Sequence, residues 1–422
     1  MSNESKSGMG VVVATAVSIT IVVGAGLLTL PGLSFAMAGS LGYMPWIVVA
    51  IIMVPLLEIF AFFAREMPST GGVVGYARAS LGPGVGAVAE VIVLGTFSLG
   101  IPAIALIGAA YLQQSMPALS LPAAAAGVLT LAYIAGVVGL RISGPIQTAI
   151  AAIIVLGLLA IATGYLLSAP SGPVLDLEAL GSQVAWHGVA MAVPVVLFAF
   201  TGWEMTAFLA EDMKDPRRTM PLSIWASFLI VTFLYVFIAW VVAGHAVHED
   251  GWRHAPFVQL ASGWLGSVGG QVVAFIASLL VVANVVAAFL AASRAVFSAG
   301  RDGLLPRRLA SLDHRRQPLV AMSCTYALFM GVVAISHAAG WGIDSLLQLA
   351  GQNFFFLYLC AAVGYARLHR GQPRRWVAYA AILSVVAMVP LFSLPGVLYC
   401  AALAAIGGLA VAFKGRSSTR PA

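Results

Sequence analysis

The fold is decided by Val22-Val-Gly-Ala-Gly-Leu-Leu-Thr-Leu-Pro-Gly32, a helix-breaking stretch inside an apolar run from residue 11 to 37. Glycine and proline leave backbone N–H and C=O groups unpaired, and lipid cannot satisfy such groups at membrane depth. A second interruption, Phe198-Ala-Phe-Thr-Gly-Trp-Glu204, lies in the sixth apolar run. Two interruptions in corresponding runs are typical of an inverted repeat with a ligand site between its halves, as in secondary transporters.

The composition of the chain indicates a membrane protein. Of its 422 residues, 61% are hydrophobic and 9% are charged, whereas soluble domains carry about 25% charged residues. A spanning helix needs about 20 mostly apolar residues. The sequence therefore predicts an all-α integral membrane protein with twelve transmembrane helices, at residues 11–37, 43–64, 85–112, 121–140, 145–168, 185–209, 221–245, 264–292, 319–338, 343–366, 375–391 and 394–413. A re-entrant hairpin is the alternative for the last two spans, because both are short and a brief turn joins them.

The distribution of positive charge predicts the orientation in the membrane. Twenty of the 21 Lys and Arg residues fall on one side of the predicted spans, and Arg253 alone falls on the other. By the positive-inside rule we expect a multi-pass inner-membrane protein with both termini in the cytoplasm. This basic face accounts for the net charge of +6, so no nucleic-acid partner is predicted.

The two interruptions carry groups that match an amino acid. Gly24 and Gly26 lack Cβ, so the backbone there can unwind and approach a ligand closely. The half-helix that follows offers free N–H groups and a positive dipole end, which suit a carboxylate. Carbonyl oxygens around Val22, and around Phe198 and Thr201 in the second interruption, suit an ammonium. The alternative is a pair of kinks that neighbouring helices satisfy without a ligand.

Ionisable residues inside spans are costly and are therefore candidates for function. Glu58 has two open interpretations, a functional group or a hydrogen-bonded packing residue. Glu90 and Asp344 lie near the membrane interfaces, where capping or snorkelling explains them. Glu204 lies beside a helix break, and a carboxyl group in apolar surroundings can exchange a proton near neutral pH. Glu204 is thus a candidate for gating or proton coupling.

The remaining reactive residues predict neither an enzyme nor a metal protein. Cys324, Cys360 and Cys400 lie inside spans, where a free cysteine behaves as a small hydrophobe. The histidines of the loop between spans 7 and 8, His245, His248 and His254, are interpreted as part of a hydrated loop. The sequence contains neither a His-Glu-x-x-His nor a Gly-x-Ser-x-Gly motif. No cofactor is predicted.

Several motifs resemble those of the amino acid–polyamine–organocation transporters. They occur in order through spans 1 to 9, at Gly24-Ala-Gly-Leu-Leu28 with Leu30-Pro-Gly32, at Glu66-Met-Pro-Ser-Thr-Gly-Gly72 with Tyr76-Ala77 and Leu81-Gly-Pro83, at Phe198–Glu204 with Glu211-Asp-Met-Lys-Asp-Pro-Arg-Arg218 and Pro221, and at Ser293-Arg294 with Arg301-Asp-Gly-Leu-Leu-Pro306. Any one of these matches alone is weak, but together they are specific.

The resemblance implies a leucine-transporter-type fold with discontinuous helices 1 and 6. Its parts would be a cytoplasmic N-terminus at residues 1–10, a first five-helix repeat at 11–168, a second, inverted repeat at 185–366, two peripheral helices at 375–413 and a cytoplasmic tail at 414–422.

The resemblance also assigns residues to the substrate. It places the carboxylate at the amides of Ala25 and Gly26, and the amine at the carbonyls of Val22, Phe198 and Thr201. Gly24 and Gly202 belong to the same substrate site, and Glu204 with its neighbour Trp203 would serve gating and proton coupling. Two departures are the alanine at position 25, where many relatives have Ser or Thr, and the absence of a lysine from span 5.

The predicted substrate is a neutral, mainly hydrophobic amino acid such as leucine, isoleucine, valine or methionine. Within the family, the chain looks most like bacterial exporters of methionine and branched-chain amino acids. No second carboxylate lies near the breaks to pair with a cationic side chain. Asn284 in span 8 has two open interpretations, ligation of an ion or helix packing. The alternative function is sodium-coupled or exchange-type transport of cationic amino acids or polyamines.

Overall fold

The computed structural model describes residues 10–67, 72–139, 144–169, 176–203, 213, 215–247, 249–314 and 317–418. The regular elements assigned within these ranges are all helices, which confirms the all-helical prediction for the part of the chain that is described. The first half of the chain forms α1 Val11–Val22, α2 Ala25–Ala38, α3 Met44–Glu66, α4 Gly72–Leu81, α5 Pro83–Ser115, α6 Leu121–Val138, α7 Gly144–Ser168 and α8 Leu177–Gly181.

The second half of the chain continues the helical pattern. It forms α9 Gln183–Leu197, α10 Pro216–His245, α11 Asp250–His254, α12 Pro256–Arg301, α13 Leu319–Ala338, α14 Ile343–Leu368, α15 Arg375–Met388 and α16 Leu394–Ser418. Helix α12 extends well beyond the span predicted at 264–292. Its two segments meet at a kink at Gly266, whose φ of 75° is a conformation that glycine adopts without steric cost.

Nine of the described helices are long and apolar enough to cross a membrane. Other apolar segments, counted over the residues whose side chains are described, are shorter: 11–20, 26–41, 152–168, which is part of α7, and 375–391. A helix of fewer than about 17 residues does not span the hydrocarbon core unaided. A multi-pass membrane protein follows directly from these lengths, whereas the number of twelve crossings stays a prediction.

Helix α5 occupies the middle of the molecule and positions the other elements. Most of its residues are buried, and it packs against α12, α14, α16, α6 and α4. On one side of this centre, α1 packs against α10 and α7, while α2 packs against α9, α10 and α11. The two interrupted elements are thereby held next to each other in the interior.

Candidate functional site

The first interruption separates α1 from α2 at Val23 and Gly24. The N–H of Gly24 donates back to the carbonyl of Val22 at 2.8 Å, which closes a tight turn. No side chain of the described residues caps the N-terminus of α2. The first-turn amides of Ala25 and Gly26 therefore have no helical acceptor and can donate to a ligand.

The second interruption follows α9. The helix tightens into a 3-10 turn over Phe198–Phe200 and then becomes extended at Thr201. Gly202 has a φ of 126°, a conformation that favours glycine over residues with a Cβ. The carbonyl of Phe198 accepts the Thr201 N–H at 3.3 Å and the Thr201 hydroxyl at 2.8 Å. The chain thus leaves its helical path at the position that the sequence indicates.

Tyr235 of α10 connects the two interruptions, a role that the sequence analysis missed. Its fully buried hydroxyl donates to the carbonyl of Val22 at 3.0 Å and to that of Ala199 at 3.1 Å. One proton is shared between two backbone segments from the two halves of the chain. A tyrosine within an apolar span gives no sequence signal for this role, because packing aromatics look the same.

A cavity of about 460 Å³ lies between the interruptions. Its wall includes six of the seven predicted substrate-binding residues, namely Val22, Gly24, Gly26, Phe198, Thr201 and Gly202. The other lining residues come from α1, α2, α4, α5, α7, α12 and α14, and most are aliphatic. Among the described residues that line the cavity, none is ionisable. The volume and the apolar wall are those of a small-molecule site.

Asn284 of α12 is the polar side chain that faces the first interruption most closely. A Cβ built on Gly24 would lie 3.2 Å from the Asn284 amide nitrogen and 3.5 Å from its oxygen. Asn284 is partly exposed to the cavity, and within the described residues it has no hydrogen-bond partner. Three threonine hydroxyls of the cavity wall instead donate to carbonyls in their own segments, at Thr20, Thr96 and Thr201. Asn284 therefore offers both a donor and an acceptor to a ligand.

The gating candidates lie apart from this wall. Trp203 is fully buried, donates its indole N–H to the Ser227 hydroxyl at 3.0 Å and is not among the lining residues. Glu204 lies outside the described residues. Glu58 is half-buried in α3 and does not line the cavity.

Helix α2, whose Leu28 lines the cavity, packs against α11. The Thr29 hydroxyl donates to the carbonyl of His254 at 2.8 Å, and the Tyr111 hydroxyl donates to the carbonyl of Leu28. A Cβ at Gly32 would lie 2.1 Å from the Trp252 carbonyl oxygen, so only glycine permits this approach. These contacts lie on the side predicted to be periplasmic.

An ion pair also joins α11 to α14. Arg253 of α11 pairs with Asp344 of α14 at 3.4 Å. Burial, and then the Arg253 cation, lower the pKa of the neighbouring His254 imidazole. The Thr29 hydroxyl donates to the backbone carbonyl of His254, so this contact does not involve the imidazole ring.

The cavity extends in the opposite direction, towards the basic end of the molecule. Val17, Val73 and Ala291 line this part. Here Glu90 is held in an ion pair with Arg78 at 2.7 Å, so its charge is compensated locally. Within the described residues, no cluster of three or more His, Cys, Asp or Glu residues could hold a metal ion.

Comparison with known proteins agrees with this geometry. A sequence model of the family described as "Amino acid permease" matches residues 9–410. The chain is 28% identical to the amino acid permease YecA of Bacillus subtilis (strain 168), over 95% of this chain and 94% of the relative. It is 26% identical to the L-methionine/branched-chain amino acid exporter YjeH of Escherichia coli (strain K12), over 87% of each protein. It is also 24% identical to the branched-chain amino acid permease BcaP of Bacillus subtilis (strain 168), over 87% of this chain and 82% of the relative. The chain therefore belongs to the amino acid permease family of the amino acid–polyamine–organocation superfamily, whose members are transporters.

Proposed function

We propose that this permease moves neutral, mainly hydrophobic amino acids across the inner membrane by alternating access, coupled to protons and in the direction of export. The observation that carries the proposal is the cavity between the two interruptions, whose described lining residues include no ionisable side chain. A lysine or arginine side chain would have to leave water there without a partner, at a cost of several kcal/mol. An apolar methylene gains about 0.8 kcal/mol on burial.

The packing of the helices supports the proposed inverted repeat. If spans 1–5 and 6–10 are related by a pseudo-two-fold axis, elements near that axis must contact their own counterparts. Such contacts occur between α2 and α9, α3 and α10, α5 and α12, and α6 and α13. If residues 11–168 and 185–366 are the two repeats, these helices belong to equivalent spans, 1 with 6, 2 with 7, 3 with 8 and 4 with 9. The two peripheral helices of the proposal correspond to α15 and α16.

The substrate is proposed to bind by its α-amino and α-carboxylate groups. The carboxylate would accept from the first-turn amides of α2, at Ala25 and Gly26, and from the Asn284 side chain. The ammonium would donate to the carbonyls of Val22, Phe198 and Thr201, while Gly24 and Gly202 permit close approach.

Binding in this mode disturbs existing hydrogen bonds, which links it to movement. The Val22 carbonyl already accepts from Tyr235 and from the Gly24 N–H, and the Phe198 carbonyl already accepts from Thr201. A carbonyl oxygen has two lone pairs, so an ammonium must displace or share these donors. Substrate binding would then loosen the Tyr235 connection between the two halves, and alternating access requires such a differential contact.

Proton coupling is assigned to Glu204, with Trp203 as its neighbour in gating.

The relatives support the choice of substrate by name only, since YjeH is named as a methionine and branched-chain exporter and BcaP as a branched-chain permease. The proposed substrates are amino acids that combine an apolar side chain with a charged α-amino group and a charged α-carboxylate group.

The test is transport of labelled leucine and methionine by the purified protein in proteoliposomes. Uptake and efflux are measured across an imposed pH gradient, and again across a sodium gradient. The proposal expects transport to follow the proton gradient, and expects isoleucine and valine to compete. Transport driven by sodium alone, or competition by arginine or putrescine as strong as that by leucine, would contradict it and favour the cationic alternative.

A further inference from the structure

The cavity between the interruptions continues beyond the groups proposed to hold the charged ends of the substrate. On α12, Asn284 faces the first interruption, and Ala287 and Ala291 line the cavity further along the same helix. Residues at this spacing share one face of a helix. At a rise of about 1.5 Å per residue, Ala287 lies about 5 Å and Ala291 about 10 Å beyond Asn284. The cavity is therefore elongated in the direction of the basic end of the molecule.

The wall of this extension is aliphatic. Ala287 and Ala291 are exposed although both lie inside a predicted span, and both face the cavity. Aliphatic side chains attract methylene groups and offer a charged side chain no partner. We call the extension the apolar vestibule and define it by six lining residues from α1, α4, α5, α7 and α12, namely Val17, Val73, Val93, Ile154, Ala287 and Ala291.

Another side of the substrate site is lined by aromatic rings that leave little room. The Phe198 and Phe354 rings lie edge to face, with their centroids 6.5 Å apart. A Cβ built on Gly100 would lie 3.1 Å from the Phe198 ring. Carbon atoms pack best at about 3.5–4.0 Å, so even a methyl group is crowded there. A long side chain therefore finds its space in the apolar vestibule and not beside these rings.

We propose that the apolar vestibule binds the long, unbranched alkyl side chain of an α-amino acid. The inference rests on the proposed function, because the two interruptions must first hold the α-amino and α-carboxylate groups. An extended chain advances about 1.2 Å per bond, so about the fourth side-chain carbon reaches Ala287 and about the eighth reaches Ala291. The ligand class of the site thus extends to amino acids with side chains longer than those of leucine and methionine.

The test is competition with labelled leucine for binding to the purified full-length permease in lipid nanodiscs. The competitors are unbranched α-amino acids of increasing side-chain length: norvaline, norleucine, 2-aminooctanoic acid and 2-aminodecanoic acid. The variants are Ala287→Leu and Ala291→Leu, which fill the vestibule at two depths. The matched control is Ala160→Leu on α7, because Ala160 is exposed and does not line the cavity. The proteins are compared by the gain in affinity for each added methylene group.

In the parent protein, each added methylene should tighten binding roughly two- to fourfold, because complete burial corresponds to about fourfold. In Ala287→Leu the gain should stop near norleucine, and in Ala291→Leu it should stop at longer chains, near 2-aminooctanoic acid. The control Ala160→Leu should keep the gain of the parent. The two vestibule variants are independent measurements, so either one alone tests the proposal.

Leucine binding separates the failure of this inference from that of the proposed function. If leucine binds but affinity does not rise beyond norleucine in the parent, the vestibule does not take the side chain and only this inference falls. The same holds if the gain is equal in all variants, which indicates partition into the nanodisc lipid, or if Ala160→Leu loses it as the vestibule variants do. If leucine itself does not bind, the proposed function and this inference both fall.

Discussion

Replacing Tyr235 with phenylalanine removes the hydroxyl that connects the two interruptions and leaves the ring in place. The ring is held by Trp46 and Phe200, at centroid distances of 5.1 and 5.2 Å. The hydroxyl donates to the Val22 and Ala199 carbonyls at 3.0 and 3.1 Å. A buried hydrogen bond contributes about 0.5–1.5 kcal/mol net, which corresponds to roughly a 2- to 10-fold change in an equilibrium constant.

Tyr235→Phe should therefore shift the balance between transport states by roughly 2- to 10-fold while the protein still folds. Leucine affinity by calorimetry and exchange in proteoliposomes both report this balance. Tyr133→Phe is the matched control, because its hydroxyl pairs with Ser323 at 3.0 Å between α6 and α13 and does not line the cavity. If Tyr235→Phe behaves like the parent in both assays, or if Tyr133→Phe has the same effect, the connecting role of Tyr235 is wrong.

Three further substitutions test individual parts of the site. Gly26→Val should abolish leucine binding measured by calorimetry, because a branched side chain would collide with Leu30 and Ala199. A Cβ at this position would already lie 3.2 Å from the Leu30 Cδ1 atom. Gly127→Val is the control and should bind leucine like the parent, because a Cβ at Gly127 meets nothing within 4 Å. Asn284→Leu should weaken binding roughly 10-fold, whereas the buried Asn353→Leu, outside the cavity wall, should leave affinity unchanged. Glu204→Gln should keep binding but remove most of the pH dependence of transport, and an unchanged pH profile would contradict proton coupling through this residue.

The sequence was most informative where chemistry and periodicity coincide. Gly24 predicted the departure from helical structure between α1 and α2, because a residue without Cβ lets the backbone unwind, whereas Gly26 lies within the first turn of α2. Long apolar runs predicted α3, α10 and α14 closely. The predicted span at 264–292 was too short, because the apolar pattern does not register helical turns that continue beyond the hydrocarbon core.

Tertiary relations were harder to predict. In sequence, Tyr235 lies more than 30 residues from either carbonyl that accepts its hydrogen bonds. No local sequence pattern predicts a hydrogen bond over such a separation. Asn284 looked like a packing residue or an ion ligand until its position over Gly24 was known.

The most direct measurement of the central claim is competition for labelled leucine exchange in proteoliposomes by compounds that each lack one backbone charge. Leucinol retains the amine without the carboxylate, and 4-methylpentanoic acid retains the carboxylate without the amine. If the amides and carbonyls of the two interruptions bind both the α-carboxylate and the α-ammonium group of the substrate, unlabelled leucine competes and neither analogue does. Competition by leucinol or by 4-methylpentanoic acid as strong as that by leucine would contradict the account.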